Sequence, residues 1–180
     1  AIITGGDFQA LGVLRTLAQK GIPVILLDHE HCISRYSRYR KKFIQAPSPF
    51  EAESYVRFLL DLATREHVQG WILFPNSDRA VYVLSKYKPM LQEIYRIPLP
   101  DWRVIEKVYI KKKTYQLAEK NGIAIPKTWY PSDLDDLLGM DLHYPVILKP
   151  SIRDHFYSKV KIKAFRINNK DELVKTYERV

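Results

Sequence analysis

The chain has 180 residues, of which 46% are hydrophobic, and its 29 basic against 20 acidic residues give a net charge of +9. That suffices for one good core, or for one core and a smaller appended lobe. No apolar run approaches the roughly 18 residues of a membrane-spanning helix, and the single cysteine, Cys32, excludes an internal disulfide framework. A lone thiol fits a reducing compartment, so a cytoplasmic location is expected and no membrane partner. The basic residues cluster at Arg35 to Lys42, Lys107 to Lys113 and Lys159 to Lys163. Such clusters suit phosphates or acidic small molecules, and no nucleic-acid-binding motif accompanies them.

The first hundred residues alternate between strands and helices. Ala1 to Thr4 reads as a strand, Gly5-Gly6 as a turn, and Leu11, Leu14, Leu17 and Ala18 as the apolar face of a helix that Gly21 stops. Ile22 to Asp28 is a continuous apolar run, which belongs in a parallel sheet covered on both faces. Pro49 to His67 predicts a helix with Tyr55, Phe58, Leu59 and Leu62 inward, and Trp71 to Pro75 the next central strand. A helix follows from Ser77, and Ile97 to Leu99 reads as a short strand near the sheet edge. Alternation of this kind predicts a right-handed, Rossmann-like parallel sheet over residues 1–100.

Pro98 and Pro100 mark a boundary, and residues 101–180 read as a smaller α+β lobe. It comprises a helix from Val104 to Asn121 stopped by Gly122, a strand at Lys127 to Tyr130, and an acidic helix at Ser132 to Leu138. The run Tyr144 to Pro150 then ends on one lysine. Pro150 cannot donate to a ladder, so the strand stops at Lys149 and leaves a cation at the mouth of a buried sheet. A polar loop, Ser151 to Ser158, leads to a strand at Val160 to Ile167. Asn169 with Glu172 makes a capping box for the last helix.

Several stretches suit ligands. Gly5 to Gly12 is a strand-to-helix turn that presents backbone N–H groups, with Asp7 at the helix start. Asp28 ends the second strand, where dinucleotide-binding sheets hold a ribose, although the turn departs from the G-x-G-x-x-G spacing. Asn76-Ser77-Asp78 follows the third strand and serves either as a helix cap or as a substrate contact. The loop Ser34 to Lys42 interleaves cations with tyrosines, and is either a solvated loop or a ligand-facing one. His29 to Cys32 cannot all turn to one tetrahedral ion, so no metal site is expected within the chain. Lys111, Lys112 and Lys113 open a helix against its dipole, which an anion nearby would relieve.

Lys111 eleven residues before Gly122, the run Gly122 to Pro126, and Pro145 to Pro150 closing on Lys149 together resemble the ATP-grasp superfamily. The nearest likeness is to predicted ATP-grasp carboligases of the carboxylate–amine ligase type, which resemble carbamoyl-phosphate synthase and D-aspartate ligase. Gly12 with Arg15, Ser37 to Tyr39, Ser77-Asp78, and Lys163-Ala164 followed by Asp171 to Leu173 also match. The resemblance implies a pre-ATP-grasp domain followed by the first lobe of the ATP-grasp fold. It implies ATP contacts at Lys149 and Lys111, joined by Arg153 and Lys163, and substrate contacts at Gly5, Gly6, Asp7, Asp28, Ser77 and Asp78. The implied reaction uses ATP and Mg²⁺ to activate a small carboxylate as an acyl phosphate for an amine-type nucleophile. A homodimer is compatible with it. The pattern departs at Ile110, where the family usually has Asp, which leaves the register among the three lysines open. It departs again at Ser151 to Ser158, which has no glycine, so that Arg153, His155 and Lys159 could serve there instead. The metal ligands of the second lobe are not found before Val180, so the chain is expected to be an N-terminal piece that does not ligate alone. The alternative is a non-catalytic Rossmann-like module that binds an acidic metabolite or dinucleotide at the Gly5-Gly6 turn.

Overall fold

Ile2 and Ile3 are both wholly buried although adjacent residues of a strand face opposite ways, so the sheet they belong to is covered on both faces. In the computed structural model, which describes every residue except 153–155, 157–159 and 180, the chain divides into two compact units, Ala1–Ile105 and Glu106–Val180. The first holds a four-stranded sheet in the order β3-β2-β1-β4, formed by β1 (Ile2–Thr4), β2 (Ile25–Asp28), β3 (Lys42–Gln45) and β4 (Leu73–Pro75). All its pairings are parallel, with Ile3 opposite both Leu26 and Phe74. Helix α1 (Phe8–Gln19) lays Ala10 and Leu14 on the face carrying Ile3 and Leu26. Helices α2 (Ala52–Arg65) and α3 (Asp78–Lys86), with the short α4 (Lys88–Leu91), bring Tyr55, Leu59, Leu62, Val83, Leu84 and Leu91 to the face carrying Ile2, Ile25 and Leu27. At about 1.5–3 kcal/mol for each fully buried aliphatic side chain, these two layers are the main stabilising term of the unit.

Three expectations need correction here. The second strand begins at Ile25, because Ile22 still donates its N–H to Leu17 and Pro23 has none to give. β3 begins at Lys42, the last residue of the basic stretch that reads as loop, with Phe43 and Ile44 half-buried between exposed Lys42 and Gln45. Ile97 to Leu99 is not a strand: a single parallel bridge joins Ile72 to Arg96, and the prolines at 98 and 100 prevent further pairing.

In the second unit β5 (Val146–Leu148) and β6 (Phe165–Ile167) pair antiparallel, with Ile147 opposite Arg166. Leu137 of α7 (Leu134–Leu138), Ile167 and Leu173 of α8 (Lys170–Arg179) form its small buried core. The cap of α8 is a variant of the capping box: Glu172 N–H donates to Asn169 Oδ1 at 2.9 Å, while Glu172 Oε2 accepts from the N–H of Asn168, one residue before the cap, at 2.9 Å. The long helix expected from Val104 is two, α5 (Trp102–Tyr109) and α6 (Lys111–Lys120), divided at Ile110, whose backbone is extended. Lys127 to Tyr130 forms no strand, since no partner lies beside it among the described residues. Nor is the lysine strand part of a buried sheet. It has one partner, and Ile147 is 59% exposed.

Candidate functional site

The carboxyl ends of β1, β2 and β4 meet in the first unit, on either side of the point where the strand order reverses about β1. Gly5 has a φ of +93°, a conformation that favours glycine, and donates its N–H to Leu27 O at 2.8 Å. Gly6 then donates to Asp28 Oδ2 at 2.6 Å, while Asp28 Oδ1 accepts from Glu30 N–H at 3.2 Å and lies 3.1 Å from His29 Nδ1. The Asp28 carboxylate thus fastens the first turn to the second strand. Ser34 closes the same corner, giving its N–H to Gly6 O and its hydroxyl to Asp7 O, both at 3.1 Å.

These groups border a cavity of about 160 Å³. Gly5, Gly6, Asp7, Asp28 and Ser77 all line it, so five of the six residues expected to meet a substrate come together there. Asp78 does not line it and stands as the first residue of α3. Ser77 also acts as a cap, since Ala80 N–H donates to its Oγ at 3.2 Å. Asn76, which the sequence offers as a cap or a substrate contact, also lines the wall, whereas Tyr55 and Cys32 were not expected there. Burial pushes the Tyr55 phenol well above its ordinary range, although a hydrogen bond with Thr4 works against the shift. The Cys32 thiol is likewise pushed up, chiefly by burial, which opposes the thiolate form. The Asn76 side-chain nitrogen is buried with no hydrogen-bond partner, an unmet donor at the edge of the cavity. Among the described residues no three His, Cys, Asp or Glu side chains converge on a common point.

In the second unit, Lys149 directly follows β5. Its Nζ donates to Tyr115 Oη of α6 at 2.6 Å and lies 4.7 Å from the Tyr115 ring centroid. Lys111 N–H donates to Ser151 O at 3.0 Å, so the start of α6 is tied to the segment that Lys149 opens. The three lysines differ in their partners. Lys113 pairs with Glu106 at 2.7 Å, and Lys112 lies over the Tyr130 ring at 5.4 Å. The Lys111 ammonium has no partner among the described residues. No acidic residue stands in the first turn of α6 and Ile110 supplies no side-chain cap, so the charge of that turn is offset only at Lys113, by Glu106 from the preceding helix. Lys163 is exposed at a bend before β6, and Arg153, His155 and Lys159 lie outside the described residues.

No family model and no curated protein sequence matches the chain. Solved structures do. An L-amino acid ligase from Bacillus licheniformis superposes with a TM-score of 0.73 at 16% identity, over 99% of this chain and 41% of that one. N5-carboxyaminoimidazole ribonucleotide synthetase from Thermotoga maritima gives 0.61 at 22% identity, over 97% and 42%. The biotin carboxylase domain of Hydrogenobacter thermophilus 2-oxoglutarate carboxylase, in complex with MgADP, ADP and bicarbonate, gives 0.69 at 19% identity, over 99% and 39%. The chain therefore spans about two fifths of the structures it matches. At these identities the likeness is one of fold, and at that level the resemblance to ATP-grasp enzymes read from the sequence is borne out.

Proposed function

We propose that the chain is the N-terminal part of an ATP-dependent, carbon–nitrogen bond-forming ligase: a Rossmann-like pre-ATP-grasp domain followed by the first lobe of the nucleotide-binding fold. The observation that carries this reading is the pairing of Lys149 with the cationic start of α6. Two ammonium groups on segments joined by the Lys111–Ser151 hydrogen bond, with no carboxylate in that helix turn, suit the phosphates of a nucleotide. The fold shared with an MgADP-bound structure supports it. In the proposed reaction a substrate carboxylate is phosphorylated at the expense of ATP, and an amine-type nucleophile then attacks the acyl carbon and releases phosphate. Lys149 would neutralise the α- and β-phosphates and Lys111 would be the second cation, with Arg153 and Lys163 adding charge. Gly5, Gly6, Asp7, Asp28 and Ser77, which line the cavity, would face the carboxylate substrate, with Asp78 next to them at the start of α3.

The described residues do not fit a magnesium site, since no three suitable side chains converge, and no step is assigned here to a metal held by them. The acidic ligands belong, in this reading, to a second lobe. Isothermal titration of ATP-Mg against the chain and its Lys149→Ala variant tests the assignment. Loss of one charged contact, worth about 1.5–3 kcal/mol, is expected to weaken binding on the order of tenfold or more. Equal affinity for both proteins would remove Lys149 from the site.

A second reading is favoured by one observation, the unmet Asn76 donor beside the 160 Å³ cavity. It makes the first unit a non-catalytic module for a small acidic metabolite. Chemical-shift changes centred on Gly5 to Gly12 and Asp28, with none near Lys149, would support that reading over the ligase.

A further inference from the structure

The run Ser34-Arg35-Tyr36-Ser37-Arg38-Tyr39-Arg40-Lys41-Lys42 looks uniform in sequence, but the fold divides its members. Ser34 is buried and fastened to the first turn. Arg35 lies over the Phe43 ring at 4.9 Å and donates to His31 Nδ1 at 2.6 Å. Arg40 donates to Arg35 O, and Lys42 grips Glu66 through both carboxylate oxygens, at 2.6 and 2.7 Å. These four residues hold the segment in place.

Tyr36, Ser37, Arg38 and Tyr39 are turned elsewhere. With Arg15 and Gln19 of α1 they line an open cleft of about 550 Å³, in the size range of small-molecule sites. Two guanidiniums face this cleft and no carboxylate lines it. Arg15 is exposed and makes no hydrogen bond or ion pair among the described residues. Arg38 donates to Tyr39 Oη at 3.3 Å and lies 5.2 Å from its ring centroid, so it is held in place without its charge being neutralised. The Tyr39 phenol is lowered from its ordinary value, first by the hydrogen bond from Arg38 and then by the Arg38 charge, with a smaller effect from Arg15. Tyr36 is 78% exposed and packs in none of the buried clusters.

A guanidinium fork matches a phosphate in shape, and an exposed phenol offers a flat face for a base. The geometry points to a binding site for a phosphorylated aromatic small molecule of mononucleotide size, its phosphate held by Arg15 and Arg38 and its ring stacked on Tyr36. The site uses none of the residues given an ATP or substrate contact in the ligase reading, although Arg15 and Ser37 to Tyr39 are among those that carry the resemblance. Nor does an open cleft with two cations and one free ring need a polymer to fill it.

Uridine 5′-monophosphate tests the site by isothermal titration against the whole chain, with uridine, inorganic phosphate and a twelve-residue oligothymidylate as comparisons. The expected result is saturable binding of the nucleotide, weakened about tenfold or more by Arg15→Gln, by Arg38→Gln and by Tyr36→Ala, and unchanged by Lys149→Ala. Uridine should bind at least tenfold more weakly than its monophosphate. Circular dichroism of each variant checks that the fold persists. Because Arg38 also touches Tyr39, Arg15→Gln and Tyr36→Ala, which break no hydrogen bond or ion pair among the described residues, are decisive if Arg38→Gln unfolds. The proposal is overturned by equal binding of uridine and its monophosphate, by affinity within twofold in Arg15→Gln and Tyr36→Ala, or by no saturation at 10 mM. Binding lost in Lys149→Ala overturns it, because that places the ligand in the other unit. Tighter binding of the oligothymidylate with a steep salt dependence also overturns it, in favour of a nucleic-acid surface.

Discussion

Gly6 is the residue on which the corner at the first turn depends, and Gly6→Ala tests that dependence quantitatively. A methyl group added there would stand 2.0 Å from Cys32 Sγ, 2.7 Å from Cys32 Cβ and 3.1 Å from Asp28 Oδ2. Favourable contact between heavy atoms lies near 3.5–4.0 Å, so the overlap with sulfur is about 1.5 Å or more. Rotating the thiol away does not relieve it, because the Cys32 Cβ is also too close. The backbone must therefore separate, and the bonds from Gly6 N–H to Asp28 and from Ser34 N–H to Gly6 O lengthen with it. Overpacking costs about 1–3 kcal/mol, and a hydrogen bond to a charged group contributes about 1.5–3 kcal/mol. We expect a loss of about 3–5 kcal/mol, a large part of the stability of a domain this size. Urea unfolding followed by circular dichroism and tryptophan fluorescence measures it. Cys32→Ala in the same chain removes the sulfur and Cys32→Gly removes both offending atoms, so rescue should increase in that order. A Gly6→Ala cost below about 1 kcal/mol, or double variants that are additive within about 0.5 kcal/mol, would refute the reasoning.

Gly12 provides the opposite case: it lies inside α1 with nothing within 4 Å of an added methyl group, so Gly12→Ala should stabilise by about 0.5–1 kcal/mol, read as a higher urea midpoint. Ser77→Ala should cost about 1 kcal/mol through loss of the bond from Ala80 N–H, and Ser77→Asp should restore most of it. Alkaline titration should expose Tyr55 and Tyr95, whose phenols burial pushes above the ordinary value of 10.0. Below pH 10 both states keep these protons; above it the unfolded chain releases them while the folded one retains them, so stability falls with rising pH. The slope should reach about 1.4 kcal/mol per pH unit for each tyrosine, and Tyr95→Phe should remove its share; an unchanged slope in that variant would exclude Tyr95 as a source.

The parallel sheet was legible because Ile2-Ile3 and Ile25 to Leu27 are apolar without alternation, which only a sheet covered on both faces can accommodate. β3 was not, because two apolar residues among five nearby cations carry no periodic signal, and its pairing with β2 supplies what the sequence lacks. The break at Ile110 was hidden for a similar reason. Helix-favouring residues run through it, and Lys111 N–H is diverted to Ser151, forty positions away in the chain by numbering. At the sites, turn chemistry singled out Gly5, Gly6, Asp28 and Ser77, since glycine pairs, strand-end carboxylates and N-cap serines act locally. Cys32, Tyr55 and Tyr115 matter through approaches across the fold, which neighbours in sequence cannot disclose.

β3 closes one side of the sheet, and an outer strand presents backbone groups that another chain could extend. This one is four residues long, begins with Lys42 and is bordered by Lys41 and Arg40. The Lys42 ammonium is paired with Glu66, while Lys41 beside it is exposed. Among the described residues no strand pairs with β3 on that side, and the cations at its start guard it against β-aggregation. A neutral substitution at Lys41 would lower solubility before any loss of fold.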